Sequence, residues 1–304
     1  MTKLTRRAAL GAGAALPFAA ALPAAAAAPK QEPMQQNVRR FNLGDLEVTT
    51  LLANTVTNPN DPQTIFGMNV DAETFKEVSD AAFIPTDVNQ FFFTPTLVNT
   101  GESLVLFDTG QSPEDITAAV EAAGYAAGDV DTVILTHMHG DHIGGLMSGG
   151  APTFANAAYV TAQAEFDAWA AQENEGFEAN VRPLAEKMTF LADGADAAPG
   201  ITAVAAFGHT PGHMTYRLSS GEKSLLVAAD LANHYVWSLA HPDWEVRFDM
   251  DKAAAAASRR NILGMLAAER MPMIGYHMPF PAVGYVETRG DGFHWVPESY
   301  QMML

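Results

Sequence analysis

The chain has no cysteine in 304 residues. This absence excludes disulfides, thiolate metal ligands and a cysteine nucleophile, so any metal site must use histidine and carboxylate side chains. Positive charge is also scarce, because 17 Lys and Arg stand against 35 Asp and Glu, for a formal net charge of -18. Such a charge repels phosphate backbones, and we therefore expect no nucleic acid partner.

Long apolar runs are absent except at the N-terminus. There Thr5-Arg6-Arg7 precedes an alanine-rich run from Ala8 to about Ala28. A charged start before a short apolar stretch is typical of a secretory signal, and the paired arginines resemble the twin-arginine export signal of bacteria. Two prolines inside the run disfavour a permanent membrane helix. We therefore predict an export signal over residues 1–28, a periplasmic or secreted protein over residues 29–304, and no stable membrane anchor.

Beyond the predicted signal, strand patterns alternate with helix patterns. Strands are predicted over residues 46–51, 91–99, 103–107, 132–136, 158–161, 201–207, 224–229 and 273–276, the last being the final core strand. Helices are predicted after Ser112, which is a good N-cap, and over residues 162–172 and 251–270. Because no Pro- or Ser-rich linker interrupts this pattern, the mature chain is predicted to form one layered α/β domain.

One short segment, Thr136 to Gly145, carries four potential metal ligands within six residues. Residues two apart in an extended chain point to the same side, so His137 and His139 can share one metal ion. Gly140 allows a turn that presents Asp141 and His142 to a second position close by. A metal-free surface loop would need this spacing of ligand types by chance, so we favour a metal site.

This segment resembles the signature of the metallo-β-lactamase superfamily, in which histidine, histidine, aspartate and histidine alternate in the same pattern. The resemblance implies three further ligands in a fixed order, and the sequence supplies them as His213, Asp230 and His277. The upstream Asp108-Thr109-Gly110 matches a motif that braces the site in the family. The resemblance covers nearly all of the mature chain and implies a four-layer αββα fold.

The resemblance also implies a role for each ligand. The expected metals are two divalent ions, foremost zinc, with manganese, iron or cobalt as alternatives. The implied ligands are His137, His139 and His213 for the first ion, Asp141, His142 and His277 for the second, and Asp230 bridging both. Asp141 and Asp230 would serve catalysis together with a hydroxide held between the ions. Of the remaining histidines, His209 is expected outside the ligand set, and His234 is a candidate for the pocket lining.

Several segments resemble the branch of the family that contains methyl parathion hydrolases. They are residues 97–101, 145–147, 277–285 and 293–297. This resemblance implies an exported enzyme for neutral, apolar esters, including lactones, aryl esters and phosphotriesters. The bridging Asp230 argues against a true β-lactamase, and the absence of a His-x-Glu-x-Asp-His variant argues against the diiron oxygen-reducing branch.

Other functions remain as alternatives. Acyl-homoserine lactonases share all seven ligands but usually carry a tyrosine three residues after the bridging aspartate, where this chain has Asn233. A glyoxalase-type thioesterase would need a basic region for glutathione, which this acidic chain does not show. A one-iron oxidoreductase or a metal-binding protein without catalytic activity belongs to another class, and the complete ligand set argues against both.

The substrate pocket is expected to be apolar. Its predicted lining residues are Phe92, Trp169, Leu231 and Tyr235. The run Phe91-Phe92-Phe93 is the strongest candidate, because a strand cannot point three consecutive side chains the same way. The sequence thus predicts a dinuclear metal-dependent hydrolase for a small neutral ester, and it is compatible with a homodimer.

Overall fold

The computed structural model describes residues 36–303, and the predicted export signal over residues 1–28 lies outside them. The described residues all belong to one unit of the chain. Among them, no helix combines the length and hydrophobicity that a membrane span requires.

Eighteen strands and six α-helices are formed within the described residues. The strands up to the middle of the chain are β1 Val38–Leu43, β2 Leu46–Leu51, β3 Asn54–Asn58, β4 Asn89–Phe93, β5 Thr96–Asn99, β6 Leu104–Phe107, β7 Thr132–Ile134, β8 Met147–Ser148, β9 Ala151–Pro152, β10 Ala158–Ala162 and β11 Met188–Leu191. The later strands are β12 Asp196–Ala198, β13 Ile201–Ala205, β14 Met214–Ser220, β15 Lys223–Ala229, β16 Met273–Gly275, β17 Val283–Arg289 and β18 Gly292–Pro297.

The helices lie between these strands. They are α1 Ala72–Ala81, α2 Pro113–Ala122, α3 Gly140–Ile143, α4 Gln163–Ala170, α5 Glu175–Asn180 and α6 Lys252–Glu269. Shorter helical segments are Pro62–Thr64, Ala127–Asp129, Arg182–Lys187, Tyr235–Ala240 and Tyr300–Met303. The predicted cap of α2 is confirmed, because the Ser112 side chain accepts a hydrogen bond from the backbone N–H of Asp115.

Two seven-stranded sheets form the body of the fold. The first has the order β1-β2-β5-β6-β7-β10-β11, and the second has the order β12-β13-β14-β15-β16-β17-β18. In the first sheet β6, β7, β10 and β11 run parallel to one another, and in the second sheet β15 and β16 do, whereas the other neighbours of the two sheets are antiparallel. The carboxyl ends of each parallel pair lie at one edge of their sheet, and the predicted ligand-bearing loops leave from these ends.

Alternation along the central strands explains the layering. Val105 and Phe107 of β6 pack into the core cluster that also contains the second sheet, whereas Leu104 and Leu106 pack into the cluster that contains α2, α4 and α5. The rings of Phe107 and Tyr216 join the two sheets at 5.4 Å between centroids. With α6 packed against β17, the fold is the predicted α/β arrangement in four layers.

Two strand predictions are wrong. Residues 91–99 form two strands, because the chain leaves β4 at Thr94-Pro95, where proline has no N–H for a ladder. As a result β4 pairs with β3 in a separate ribbon, and β5 joins the first sheet. The segment 273–276 is not the final core strand either, since the hairpin of β17 and β18 continues the second sheet.

Candidate metal centre

Asp108 and all but one of the predicted ligands are carried by loops that follow the parallel pairs β6–β7 and β15–β16, whereas His213 lies in the turn between β13 and β14. Asp108 follows β6, the segment from Thr136 to His142 follows β7, Asp230 follows β15, and His277 lies just after β16. Close packing of these loops needs glycine at one point, because a Cβ on Gly145 would lie 2.1 Å from the carbonyl oxygen of Thr109. The loop after the histidine segment therefore packs directly against the backbone of Thr109.

A first group of side chains converges within 4.8 Å. Its members are His137, His139, His209 and Asp230. His139 Nδ1 lies 3.1 Å from His137 Nε2 and 2.9 Å from His209 Nε2. His209 Nε2 is also 3.2 Å from Asp230 Oδ2. Three ring nitrogens and one carboxylate oxygen thus face a common point.

A second group of Asp141, His142 and His277 lies beside the first. Asp141 Oδ2 is 3.3 Å from His277 Nε2 and 3.7 Å from His142 Nε2. The carboxylate of Asp230 connects the two groups, because its Oδ1 is 3.2 Å from His142 Nε2 and its Oδ2 is 3.2 Å from His277 Nε2. The structure therefore places Asp230 between the groups, as the bridging role requires.

The outer ring nitrogens of four histidines have partners elsewhere. The contacts are His137 Nδ1 to Thr136 Oγ1 at 3.1 Å, His142 Nδ1 to Asp108 Oδ2 at 2.9 Å, His209 Nδ1 to Asp249 Oδ1 at 3.0 Å, and His277 Nδ1 to the Phe92 carbonyl at 2.8 Å. A ring that donates its outer N–H keeps a lone pair on its inner nitrogen. These contacts therefore orient the inner ring nitrogens into the site.

The site fits divalent metal ions on two observations. First, His142 Nε2 and Asp230 Oδ1 are buried and, although they lie 3.2 Å apart, neither makes a hydrogen bond among the described residues. Buried polar atoms without a partner are costly, and a cation would satisfy both. Second, converging lone pairs of imidazole and carboxylate match the ligand preferences of zinc, iron, manganese and cobalt.

Burial and neighbouring charges shift the histidine pKa values in opposite directions, even within the first group. Burial opposes charge on His209, but Asp230 and Asp249 outweigh it and raise the pKa of His209 to about 9. Burial, with a smaller contribution from nearby histidines, lowers the pKa of His137 well below its ordinary value and the pKa of His139 to about 3. Burial opposes charge on His277 as well, but Asp230 and Asp141 outweigh it and raise the pKa of His277 to about 10. The pKa of Asp230 stays well below its usual range, because His277 and His142 overcome the effect of burial. Asp230 is therefore a buried anion at neutral pH.

One predicted ligand, His213, lies outside both groups. Its Nδ1 is 3.1 Å from the Ala206 carbonyl, and its Nε2 accepts a hydrogen bond from the backbone N–H of Asp230 at 3.2 Å. His209, which was expected outside the ligand set, lies in the first group, so the ligand role of His213 stays a prediction and His209 is a second candidate for the same position. Both histidines lie in one irregular turn, so their spacing alone does not show which ring faces the site.

Glu165 on α4 holds that turn, and the sequence analysis missed it. Its carboxylate is fully buried and accepts hydrogen bonds from the Met138 N–H, the Trp169 indole, the Thr210 hydroxyl and the Gly212 N–H, at 2.7–2.9 Å. A Cβ on Gly212 would lie 2.1 Å from the backbone nitrogen of Glu165, so only glycine permits this approach. Glu165 thereby ties the histidine segment after β7 to the turn that carries His209.

Three other residues missed by the sequence analysis position ligands. Arg259 of α6 is buried and donates to Asp249 Oδ2 at 2.8 Å, which orients the carboxylate that faces His209. The Tyr276 hydroxyl donates to the Asp141 carbonyl at 2.5 Å. Asn233 Nδ2 donates to Asp230 Oδ2 at 2.8 Å. No local motif marks these residues, because each meets its partner only after the loops have folded.

A cavity of about 540 Å³ opens onto the converging ligands. Besides His139, Asp141, Asp230 and His277, it is lined by Phe91, Phe93, Gln111, Gly140 and Phe248. A second cavity of about 410 Å³ is lined by Phe92 and Tyr235, and it shares His277 with the first. Neighbouring phenylalanines of β4 therefore line different cavities, as the alternation of a strand requires.

Two predicted pocket residues line neither cavity. Trp169 donates its indole N–H to Glu165 at 2.7 Å, and its ring packs against the edge of His139 with centroids 5.7 Å apart. Leu231 is 3% exposed and packs into the core between the sheets. Both lie beside ligand-bearing loops in the sequence, but their side chains support those loops from the protein side.

The choice between His209 and His213 as a ligand leads to a direct test. His209→Ala removes a nitrogen from the first group and should lower bound zinc by about one equivalent per chain, whereas His213→Ala should keep its metal at saturating zinc. Elemental analysis after dialysis against micromolar zinc measures both. Loss of an ion from the His213→Ala protein alone would restore the original assignment.

The role of Glu165 is tested by Glu165→Gln. The amide keeps the shape but turns an NH₂ group toward N–H donors, which should cost about 2 kcal/mol or more of unfolding free energy and weaken zinc binding. Glu178→Gln is the matched control, because Glu178 is exposed and pairs with Arg182 at 2.9 Å on the surface. Urea denaturation and zinc titration of both variants give the comparison. Equal effects in the two variants would show that Glu165 does not hold the turn that carries His209.

Comparisons with known proteins agree with this architecture. The chain is similar in structure to AidC, a dizinc quorum-quenching lactonase, with a TM-score of 0.80. The two sequences are 26% identical, and the match covers 87% of this chain and 98% of that one. A hydrolase of the beta lactamase superfamily, AbOPH, has a TM-score of 0.80 at 24% identity over 88% and 100%. A probable metal-dependent hydrolase from Staphylococcus aureus has a TM-score of 0.69 at 18% identity over 85% and 99%.

No curated protein sequence matches the chain significantly. The family model of the metallo-beta-lactamase superfamily matches residues 93–272, which is more than half of the chain and includes the histidine segment, the turn with His209 and Asp230. Together with the four-layer fold and the converging ligands, this match shows that the chain belongs to the metallo-β-lactamase superfamily.

Proposed function

We propose that this chain is a dinuclear metal-dependent hydrolase of uncharged esters, with a lactone or an aryl ester as its primary substrate and phosphotriesters as secondary ones. One observation carries the proposal. The two ligand groups share the carboxylate of Asp230 and open onto a cavity that has no Lys or Arg among its described lining residues.

The metal assignment follows the two groups. His137, His139 and His209 would hold one divalent ion, and Asp141, His142 and His277 the other, with Asp230 contributing to both. Zinc suits this set of nitrogen and oxygen ligands, and the dizinc centre named for AidC supports the choice. When bound, a pair of such ions supplies a hydroxide nucleophile near neutral pH and polarises the ester carbonyl.

The residues of the chain itself orient the ligands and exclude water from the cavity. Asn233 fixes the orientation of the Asp230 carboxylate, and Tyr276 fixes the loop at Asp141 through its carbonyl. Phe91, Phe93 and Phe248 line the cavity with apolar surface that excludes water from a bound ester. Because the nucleophile in this proposal is a hydroxide, no serine or cysteine side chain is needed, and the sequence has no cysteine.

Charge favours a neutral substrate. The chain is strongly acidic, and apart from the metals an anion entering the cavity would lose its hydration without meeting a Lys or Arg side chain among the described lining residues. The lactonase named among the structural relatives supports a lactone in first place. Asn233 stands where acyl-homoserine lactonases usually carry tyrosine, so the acyl-homoserine lactones are one class to be compared with simpler lactones and aryl esters.

The location of the protein stays a prediction from its first residues. We propose that residues 1–28 direct the chain to the periplasm or to secretion from the cell, on the basis of the paired arginines and the apolar run that follows them.

The substrate proposal is tested with esters that differ only in charge. Zinc-loaded protein should hydrolyse phenyl acetate with a kcat/KM at least about tenfold above that for 4-carboxyphenyl acetate, because the cavity offers the carboxylate no partner. A γ-lactone should be cleaved as well, and a chelator should abolish both activities. Efficient cleavage of a β-lactam or an anionic thioester with no action on neutral esters, or turnover that ignores the chelator, would contradict the proposal.

A further inference from the structure

His234, a candidate for the pocket lining, lies in the wall of the second cavity, which shares His277 with the cavity at the metal centre. The volume of the second cavity, about 410 Å³, is in the range of small-molecule binding sites. No Asp, Glu, Lys or Arg is among the described residues that line it. Its apolar wall is formed by Ile84, Pro85, Val88, Phe92, Trp237 and Pro279.

One ring nitrogen of His234 is bonded to the backbone. His234 precedes the helical segment Tyr235–Ala240, and its Nδ1 accepts hydrogen bonds from the N–H groups of Val236 and Trp237, both at 3.1 Å. A neutral imidazole that accepts at Nδ1 carries its proton on Nε2. Burial lowers the pKa of His234 to about 3, so the ring is neutral at physiological pH. His234 therefore presents a fixed Nε2–H donor.

The second nitrogen, Nε2, has no partner among the residues that the structure describes. It is not one of the buried polar atoms left without a hydrogen bond, so it keeps access to solvent. The ring stacks on Trp237 and on Tyr235, with centroids 4.0 and 4.6 Å apart. Because these contacts cover the ring and Nδ1 is turned to the backbone, the edge that carries Nε2 is the part left to line the cavity.

The other polar groups of the wall are less suited to bind an acceptor. The Gln90 side chain accepts from the Thr57 hydroxyl at 2.6 Å. Both nitrogens of His277 are engaged, Nδ1 with a backbone carbonyl of β4 at 2.8 Å and Nε2 with the carboxylates of the metal centre. The Tyr235 hydroxyl makes no hydrogen bond within the described residues, but it can turn to donate or to accept, whereas His234 offers a donor alone.

We propose that His234 donates a hydrogen bond through Nε2–H to an uncharged ligand group in the second cavity, and that this group carries a ketone, ester or ether oxygen on an apolar body. Capping of the helical segment explains Nδ1 but not the choice of histidine, because Asn, Asp and Ser are the preferred caps. What histidine adds is a neutral donor at Nε2. A carboxylate is disfavoured, because it would lose its hydration without meeting a Lys or Arg.

The shared wall at His277 connects this cavity to catalysis. An ester that reacts at the metal centre can extend past His277 into the second cavity, since this residue lines both. His234 is then a specificity-determining residue that contacts the non-reacting part of the substrate. This last step rests on the proposed hydrolase function, whereas the hydrogen bond from His234 does not.

Two substitutions separate the two nitrogens of His234. Asparagine has an amide oxygen at the place of Nδ1, so His234→Asn keeps the cap and removes the Nε2–H donor. Glutamine has an amide nitrogen near the place of Nε2, so His234→Gln keeps a donor and removes the cap acceptor. His241→Asn is the matched control, because His241 also stacks on a tryptophan, Trp244, with centroids 4.4 Å apart, but does not line the second cavity.

The probes are acetophenone and α-methylstyrene, which have the same shape but differ by a carbonyl oxygen in place of a methylene group. Ligand-observed NMR on zinc-loaded protein gives the ratio of their dissociation constants, and comparing ratios between variants removes the difference in hydrophobicity. In His234→Asn the ratio should shift by about fivefold against acetophenone, because a neutral hydrogen bond is lost, and in His241→Asn it should stay within about twofold. His234→Gln should shift the ratio less than His234→Asn, yet its thermal midpoint should be the lower of the two, since it alone loses the cap.

Two results would overturn the hydrogen bond from His234. An unchanged ratio in His234→Asn would show that only water meets Nε2. An equal shift in the Asn and Gln variants would trace the effect to packing of the ring and not to the donor.

The link to the substrate has its own test, which is inhibition of phenyl acetate hydrolysis by acetophenone. Acetophenone should compete with the ester, and its inhibition constant should rise about fivefold in His234→Asn. Binding without competition would overturn the link. If the wild-type protein ignores every neutral ester, the hydrolase proposal fails and the link fails with it, whereas the NMR ratios still decide the hydrogen bond from His234 by binding alone.

Discussion

The buried carboxylate of Asp230 is the group around which the site is built. It is 2% exposed, and its two oxygens lie 3.2 Å from ring nitrogens of His142, His209 and His277. A buried anion is costly unless opposite charge or hydrogen bonds compensate it. The fold supplies that compensation from two sheets, because the parallel pairs β6–β7 and β15–β16 bring their ligand-bearing loops to one place. The layered architecture and the chemistry of the site are therefore connected.

Around this carboxylate, a second set of contacts holds each ligand in position. Asp108 orients His142, Asp249 orients His209 with the help of Arg259, and the Phe92 carbonyl orients His277. Such outer contacts fix ring orientation and raise the basicity of the facing nitrogen. These contacts come from β4, from the loop after β6, from the loop before α6 and from α6 itself. Elements distant in the sequence therefore contribute to the same few atoms.

The sequence predicted what depends on local spacing. The segment from His137 to His142 follows a buried strand, and its four candidate ligands lie in the two groups. The choice between His213 and His209 depends on the shape of one turn, which is fixed by Glu165 and by contacts with distant backbone. The contacts of Trp169 depend on the fold in the same way, since only the folded chain shows that its indole N–H turns to Glu165. The spacing of residues along the sequence does not encode these non-local contacts.

The central claim is that Asp230 lies between two metal positions with different histidine sets. Anomalous diffraction from zinc-loaded crystals, recorded above and below the zinc absorption edge, tests it most directly. The account predicts two zinc peaks, one held by His137, His139 and His209 and the other by Asp141, His142 and His277, with Asp230 in contact with both. A single peak, or a peak ligated by His213 in place of His209, would contradict it.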